Sequence, residues 1–352
     1  MTETENVPPG ASKQPSISRK PVRIAAYTAG RYAPGSRLRV RQYIPRLADF
    51  GIEVAEHWPR LGAYPPRNRL LRAPWLIGSL GERLPQIARS WQADVTLLQR
   101  ELVSTLSTLE GLSKRPRIVD VDDAIHLNRG GRTAQRLAGL ADLVIVGNAW
   151  LADVWRRWNP AVEILPTGVD TDRYTARPFP EHPVIGWIGI GSNLPYLTAI
   201  APALSEVCRR FPDAVVAVCS DRRPDLPDVP LRFVPWSETV EAEFLASLTI
   251  GVMPLADGEW ERGKCSFKML QYMAAGRPCV VSPVGTNRQL LGEAELGLGA
   301  TSLDEWREAL SALLADSCAA ARMGTAGRGL AEQRYSVAAL SGQLAELLRR
   351  VI

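Results

Sequence analysis

Glu261-Arg-Gly-Lys-Cys-Ser-Phe-Lys-Met-Leu-Gln-Tyr-Met-Ala-Ala-Gly-Arg-Pro278 lies between two apolar runs, Thr249-Ile-Gly-Val-Met-Pro254 and Cys279-Val-Val-Ser282. Each run reads as a buried strand, and the segment between them reads as a helix. Ser266 stands where an N-cap belongs, Gly276 where a left-handed stop belongs, and Pro278 just beyond. Phe267, Leu270 and Ala274 fall on one side at helical spacing.

Arg262, Lys264 and Lys268 crowd the start of this helix. Cations are disfavoured there, because that end of the dipole is already positive, unless an anion lies between them and the free backbone N–H groups. A helix N-terminus after a glycine loop is a ready phosphate site. Lys268 and Gln271 are three apart and share a face, which reads as a pocket wall, the lysine for a phosphate and the glutamine for sugar hydroxyls. The plainer reading is a solvated basic turn on an ordinary α/β helix.

The 352 residues suffice for about two domains, each with its own core. A net charge of +5 and a pI near 9.1 suit an anionic substrate, nucleic acid or an anionic membrane surface. Cys208, Cys219, Cys265, Cys279 and Cys318 show no metal-ligand spacing and read as reduced thiols of a cytosolic protein. No stretch is long and apolar enough to span a bilayer, and the N-terminus lacks the apolar region of a signal peptide.

Outward from the central stretch, strands and helices alternate. Residues 1–20 are polar and proline-bearing and read as a disordered tail. Arg23-Ile-Ala-Ala-Tyr27 is a first strand, followed by a glycine-bearing loop through Gly30 and Arg31. Ser36 is expected to cap a helix ending at Gly51, with Pro45 kinking it or shifting its start. Strands are expected at 52–58, 94–98, 117–124, 142–146 and 162–165, with helices at 101–112 and 149–158, the latter capped by Asn148. The proline-dense stretch 176–183 is a linker.

Beyond it the alternation restarts. Strands are expected at 184–188, 214–219 and 231–234, with helices at 195–210, 238–248, 303–314 and 319–331 and a closing helix from Ser336. This is an α/β chain of two Rossmann-like, doubly wound parallel-sheet domains facing a cleft, at 21–176 and 183–335. The closing helix, 336–352, is expected to pack back toward the first domain. Ligand loops then lie at the strand C-terminal ends.

Asp120, Asp122 and Asp123 end one such strand, suiting hydrogen bonds to sugar hydroxyls, loop orientation or a hard cation, the first two being favoured. Trp58 to Trp91 interleaves arginines with Leu70, Leu71, Trp75, Leu76 and Ile77. It reads either as a basic amphipathic surface for an anionic membrane or as a domain helix with solvated arginines.

Three segments resemble the glycosyltransferase family 4 group ("glycosyl transferases group 1") of the GT-B fold. They are Ala141–Asn148 running to Ile164–Tyr174, Gly186–Gly189 into the loop at Ser192, and Gly263–Pro278. The resemblance implies a hexosyltransferase-type enzyme of glycan or glycoconjugate biosynthesis. It would move a sugar from a nucleotide-diphosphate sugar to a glycan, lipid-linked or small-molecule acceptor, with retention, with no cofactor and no bound metal. The family's pair of glutamates falls on Gly263 and Gln271, and its strand-end histidine on Asp122. The Arg and Lys that the family carries after the first strand of the second domain are replaced by Ser192, Asn193 and Tyr196.

Lys264, Lys268, Arg262 and Asp122 are therefore the expected catalytic group, the cations neutralising the leaving diphosphate. Gly191, Ser192, Pro235, Trp236, Gly263, Cys265, Ser266 and Gln271 are expected on the nucleotide side. Gly30, Arg31, Arg37, Arg41, Asp123, Thr167 and Gly168 are expected on the acceptor side. A cytoplasmic location follows, with region 58–91 as the candidate for peripheral membrane contact. The alternative is a catalytically degenerate relative that binds nucleotide or supports a partner. A DNA-binding role has no helix-turn-helix or zinc pattern behind it.

Overall fold

The computed structural model describes residues 20–62 and 64–352, so the tail expected at 1–20 lies outside the described residues except for Lys20. Two six-stranded sheets, parallel at every pairing, carry the chain. The first holds β1 (Val22–Tyr27), β2 (Ile52–His57), β3 (Val95–Gln99), β4 (Arg117–Val121), β5 (Leu143–Val146) and β6 (Val162–Ile164), in the order β2-β1-β3-β4-β5-β6. The second holds β7 (Val184–Ile188), β8 (Val215–Ser220), β9 (Leu231–Pro235), β10 (Ile250–Met253), β11 (Cys279–Val281) and β12 (Gly297–Gly299), in the order β12-β11-β10-β7-β8-β9. Strand order reverses between β1 and β3 and again between β7 and β10. Those two crevices are where open sheets of this kind take ligands.

Both faces of both sheets are covered, as parallel strands require. In β7, Ile185 and Trp187 enter one apolar cluster while Val184 and Ile188 enter the other. The helix Val337–Arg349 lays Val337, Leu340, Leu344 and Leu348 into the cluster beneath the first sheet, beside Ile24, Val40 and Leu47. Its Ser336 cap accepts the Ala339 N–H at 3.0 Å, and Arg350 pairs with Glu163 at 2.9 Å.

Several expectations change. The helix at 101–112 is a single turn, Glu110–Leu112. The buried Glu110 carboxylate instead accepts the N–H groups of Leu102 (2.9 Å) and Thr108 (2.5 Å), so side-chain acceptors replace the helical ladder. The helix at 195–210 breaks into Leu194–Ala199 and Ala201–Arg210, with Pro202 in the first turn of the second piece. Pro45 sits at the start of helix Ile44–Asp49, so it shifts the start rather than kinking the helix. Ser36 caps nothing: its Oγ accepts from the Gly30 N–H at 3.2 Å. Helices at Arg132–Leu140 and Thr286–Glu293 add to those expected, and Trp58–Trp91 holds the helix Arg72–Arg89, one of its two readings.

Candidate active site

Lys268 is the second residue of helix Phe267–Ala274, at the crevice between β7 and β10. Its ammonium lies 4.9 Å from the centre of the Trp187 ring. A Cβ on Gly189 would stand 2.6 Å from Lys268 Cε and 2.8 Å from the Trp187 ring, so only glycine lets the lysine lie across the end of β7. Lys264 stands over the Trp260 ring at 5.8 Å. Among the described residues neither ammonium has a carboxylate within ion-pair distance. Burial, reinforced by repulsion from Lys264, pushes the Lys268 ammonium down to about 7. Gly276 has the left-handed φ of +67° expected of a stop. Ser266, however, is itself left-handed (φ +53°) and gives the helix no side-chain cap, which corrects its expected role.

Two other residues of the stretch already have partners. Arg262 is exposed and pairs with Asp257 at 2.8 Å, so its charge is matched to a carboxylate, unlike those of the lysines. Gln271 is buried and its Nε2 donates to the Tyr174 hydroxyl at 3.1 Å. That hydroxyl donates to Glu241 (3.0 Å), which also accepts from Trp236 Nε1 (3.1 Å). Lys268 and Gln271 therefore do not form one wall. The glutamine is held by the segment entering the linker, because its side of the short helix is packed. Pro235 and Ser192 are exposed at loop ends, and the Gly191 N–H donates to Asp221, with Arg222 beside it.

The first domain reaches across the cleft with Arg37. This residue lies 5.3 Å from the Trp236 ring centre and within 3.5 Å of Glu238 and 3.7 Å of Glu241. Arg41 forms a two-pronged pair with Glu56, both N···O distances 2.8 Å, and stacks on Trp58. Both arginines expected to hold an anionic acceptor are thus already matched to carboxylates. Arg31 is exposed, and Gly30 sits in the loop after β1. Thr167 is buried, and the Gly168 carbonyl accepts from Gln42 Nε2 at 2.9 Å.

The aspartates at the end of β4 are each matched to an arginine. Asp120 takes a forked pair from the buried Arg39, 3.1 Å to Nε and 2.6 Å to Nη2, while Nη1 donates to the Leu165 carbonyl at 2.8 Å. Arg100 binds Asp122 (2.6 Å) and Asp123 (3.2 Å). Burial alone would raise Asp122, but Arg100 and then Arg39 outweigh it and hold the carboxyl below the usual range. For Asp123 burial wins, and its carboxyl is raised.

The loop carrying Lys264 is seated on this end of the first sheet. Cys265 is buried against it, its thiol donating to the Asp122 carbonyl at 3.2 Å, and burial pushes that thiol up to about 12. Asn148 caps its own helix through Oδ1 (2.9 Å from Leu151 N). Its Nδ2 donates across the cleft to the carbonyls of Lys264 (3.1 Å) and Arg262 (3.3 Å).

Arg39, Arg100, Glu241 and Glu261 belong to this region and receive no role from the sequence, while Tyr196, placed there in the loop after β7, turns out to meet Glu261. Glu261 is buried, accepts a hydrogen bond from the Tyr196 hydroxyl, and has no cation within ion-pair distance among the described residues. Burial first, then the hydrogen bond and charge of Glu261 and the charge of Asp123, hold the Tyr196 hydroxyl protonated. The one signal for the arginines is the aspartate trio itself: three acids ending a buried strand need cations.

Residues 183–316 match the family "Glycosyl transferases group 1". No curated protein matches the chain. Among solved structures, sucrose-phosphate synthase from Thermosynechococcus elongatus is 17% identical, with TM-score 0.71 over 94% of this chain and 98% of that one. Anabaena HepE in complex with UDP and glucose is 14% identical, with TM-score 0.69 over 94% and 100%. WaaG, a glycosyltransferase involved in lipopolysaccharide biosynthesis, is 13% identical, with TM-score 0.65 over 93% and 99%. Residues 183–316 are a glycosyl transferases group 1 domain, set in a chain with the two-domain GT-B fold.

Proposed function

We propose that the chain is a hexosyltransferase that moves a sugar from a nucleotide-diphosphate sugar to a glycan, lipid-linked or small-molecule acceptor. In this reading it acts with retention and without a bound metal. The observation behind the reading is the pair Lys264 and Lys268: two ammoniums without carboxylate partners among the described residues, at the crevice of the matched domain. A diphosphate supplies the missing anions. As the bond from the anomeric carbon to the diphosphate oxygen lengthens, negative charge grows on the leaving group, and fixed cations favour that state over the ground state. The departing phosphate oxygen takes the acceptor's proton on the same face, so the sugar keeps its configuration. The complexes of HepE with UDP, and with UDP-glucose, make UDP-sugars the first donors to try. Five free cysteines suit a cytoplasmic setting.

A second reading, nucleotide binding without turnover, is favoured by Gly263 and Gln271, since neither offers a charged side chain to a donor. Calorimetry with UDP and turnover of UDP-glucose separate the two. Transfer predicts that Lys264→Ala weakens binding and lowers turnover by about a hundredfold. Chelation should leave activity in place. Binding of UDP with no hydrolysis or transfer of any UDP-sugar supports the second reading, and unchanged kinetics of Lys264→Ala overturn the phosphate role.

A further inference from the structure

Residues 58–91 hold six arginines and one glutamate, a net charge equal to that of the whole chain, so the remainder is neutral taken together. The glutamate, Glu82, is occupied by the backbone N–H groups of Arg60 (2.7 Å) and Leu61 (3.4 Å). Arg83 is buried and donates to the carbonyls of Thr28 (2.8 Å), His57 (3.3 Å) and Leu102 (3.3 Å), at the end of β2 and just past the ends of β1 and β3. The other five arginines are exposed, and among the described residues none has a carboxylate within ion-pair distance.

The apolar residues beside them are turned outward as well. Leu70 is 84% exposed, Ile77 72% and Tyr64 68%. A surface helix ordinarily buries its apolar stripe and shows its charges. Helix Arg72–Arg89 sends Ser79, Arg83 and Ile87 inward and half-buries Trp75, Leu76 and Leu80, yet leaves Ala73, Ile77, Leu84 and Ala88 outside. Such a face needs a partner both apolar and anionic. A second copy would bring the same uncompensated arginines opposite these in a two-fold contact. Nucleic acid would match the charge and leave Leu70 and Ile77 in water. An anionic bilayer matches both.

We propose that residues 60–84 dock the chain on an anionic lipid bilayer, with Leu70 and Ile77 entering the headgroup boundary and Arg60, Arg67, Arg69 and Arg72 meeting lipid phosphates. Because Arg83 ties this segment to the strand ends of the first sheet, the docked face lies beside the mouth of the cleft. The proposal is independent of the sugar-transfer reading, since docking is measured with no sugar present.

The test is co-sedimentation of the full chain with phosphatidylcholine vesicles, with and without about 30% phosphatidylglycerol. The chain should pellet with the anionic vesicles only, and less at high salt. Arg69→Gln/Arg72→Gln should lower the partition about thirtyfold, two charges near the surface being lost. Leu70→Ser/Ile77→Ser should lower it at least about tenfold. These positions are exposed, so an unchanged circular dichroism spectrum accompanies both pairs. Equal binding to neutral vesicles, or none to anionic ones, overturns the proposal. So does a wild-type dimer that the serine pair dissolves, or duplex binding that follows the arginines and ignores the serine pair.

Discussion

Gly263 lies against the backbone of Ala124: a Cβ built on Gly263 would stand 2.7 Å from Ala124 Cβ and 3.0 Å from its amide nitrogen. The second domain's lysine loop is thus seated on the first domain by the absence of a side chain. Any larger residue must push the two sheets apart or distort the loop. Gly263→Ala is expected to cost about 1–3 kcal/mol, the usual size of overpacking, and to lower turnover because the loop carrying Lys264 must shift on the first domain. Gly263→Glu should do more of both. A urea titration and a steady-state assay check it. Wild-type stability together with wild-type turnover in Gly263→Ala would mean that the docked arrangement is not the working one.

The same contact shows why the fold was legible in the sequence and the pairing of charges was not. Apolar runs such as Cys279-Val-Val and turn residues such as Gly276 report their own conformation, because the forces that fix them are local. The lysine helix and both sheets follow from such signals. What a long polar side chain touches depends on residues far away in sequence. Arg262 turns to Asp257, five residues before it, while Gln271 turns to Tyr174, across the linker. Arg37, on the acceptor side by sequence, closes on Trp236 of the other domain. Ser266 looked like a cap by residue type, but the loop arriving from Cys265 forces it left-handed and removes its hydroxyl from the helix end. The aspartates of β4 were visible, whereas Arg39 and Arg100 became visible only once β4 was set beside β3 and the loop after β1.

Glu261 gives a second expectation. Its buried carboxylate is held by the Tyr196 hydroxyl and has no cation within ion-pair distance among the described residues, two residues before the glycine that cannot carry a side chain. A carboxylate near Lys264 and Lys268 costs a diphosphate some attraction, and offers an acceptor to sugar hydroxyls. Glu261→Gln keeps the shape and removes the charge. It should tighten UDP severalfold, in line with about 1 kcal/mol for one like charge removed several ångströms from the diphosphate at an intermediate effective dielectric, and should lower turnover of the sugar donor about tenfold. Calorimetry with UDP and kinetics with UDP-glucose read the two effects separately. Equal losses in both would assign Glu261 to holding the loop rather than meeting the sugar.

Lys268 sets the pH dependence. Its ammonium is pushed down to about 7, by burial first and then by Lys264, from an ordinary value of 10.5. In the free protein above pH 7 it is largely neutral. A bound diphosphate favours the charged form, so binding takes up a proton, and affinity should fall as pH rises from 7 to 9. Stability runs the other way. Between pH 7 and 10.5 the unfolded chain holds more protons at this site than the folded one, so the folded state gains as pH rises and carries the full penalty below 7. Lys268→Met should therefore raise the melting temperature at pH 6 by a few degrees, about 1 kcal/mol once solvent reaching the ammonium is allowed for, while weakening UDP binding at least about tenfold. Calorimetry in buffers of different ionisation enthalpy detects the proton. Binding with no proton uptake at pH 8, or a methionine variant less stable at pH 6, would show that Lys268 is not a desolvated cation waiting for an anion.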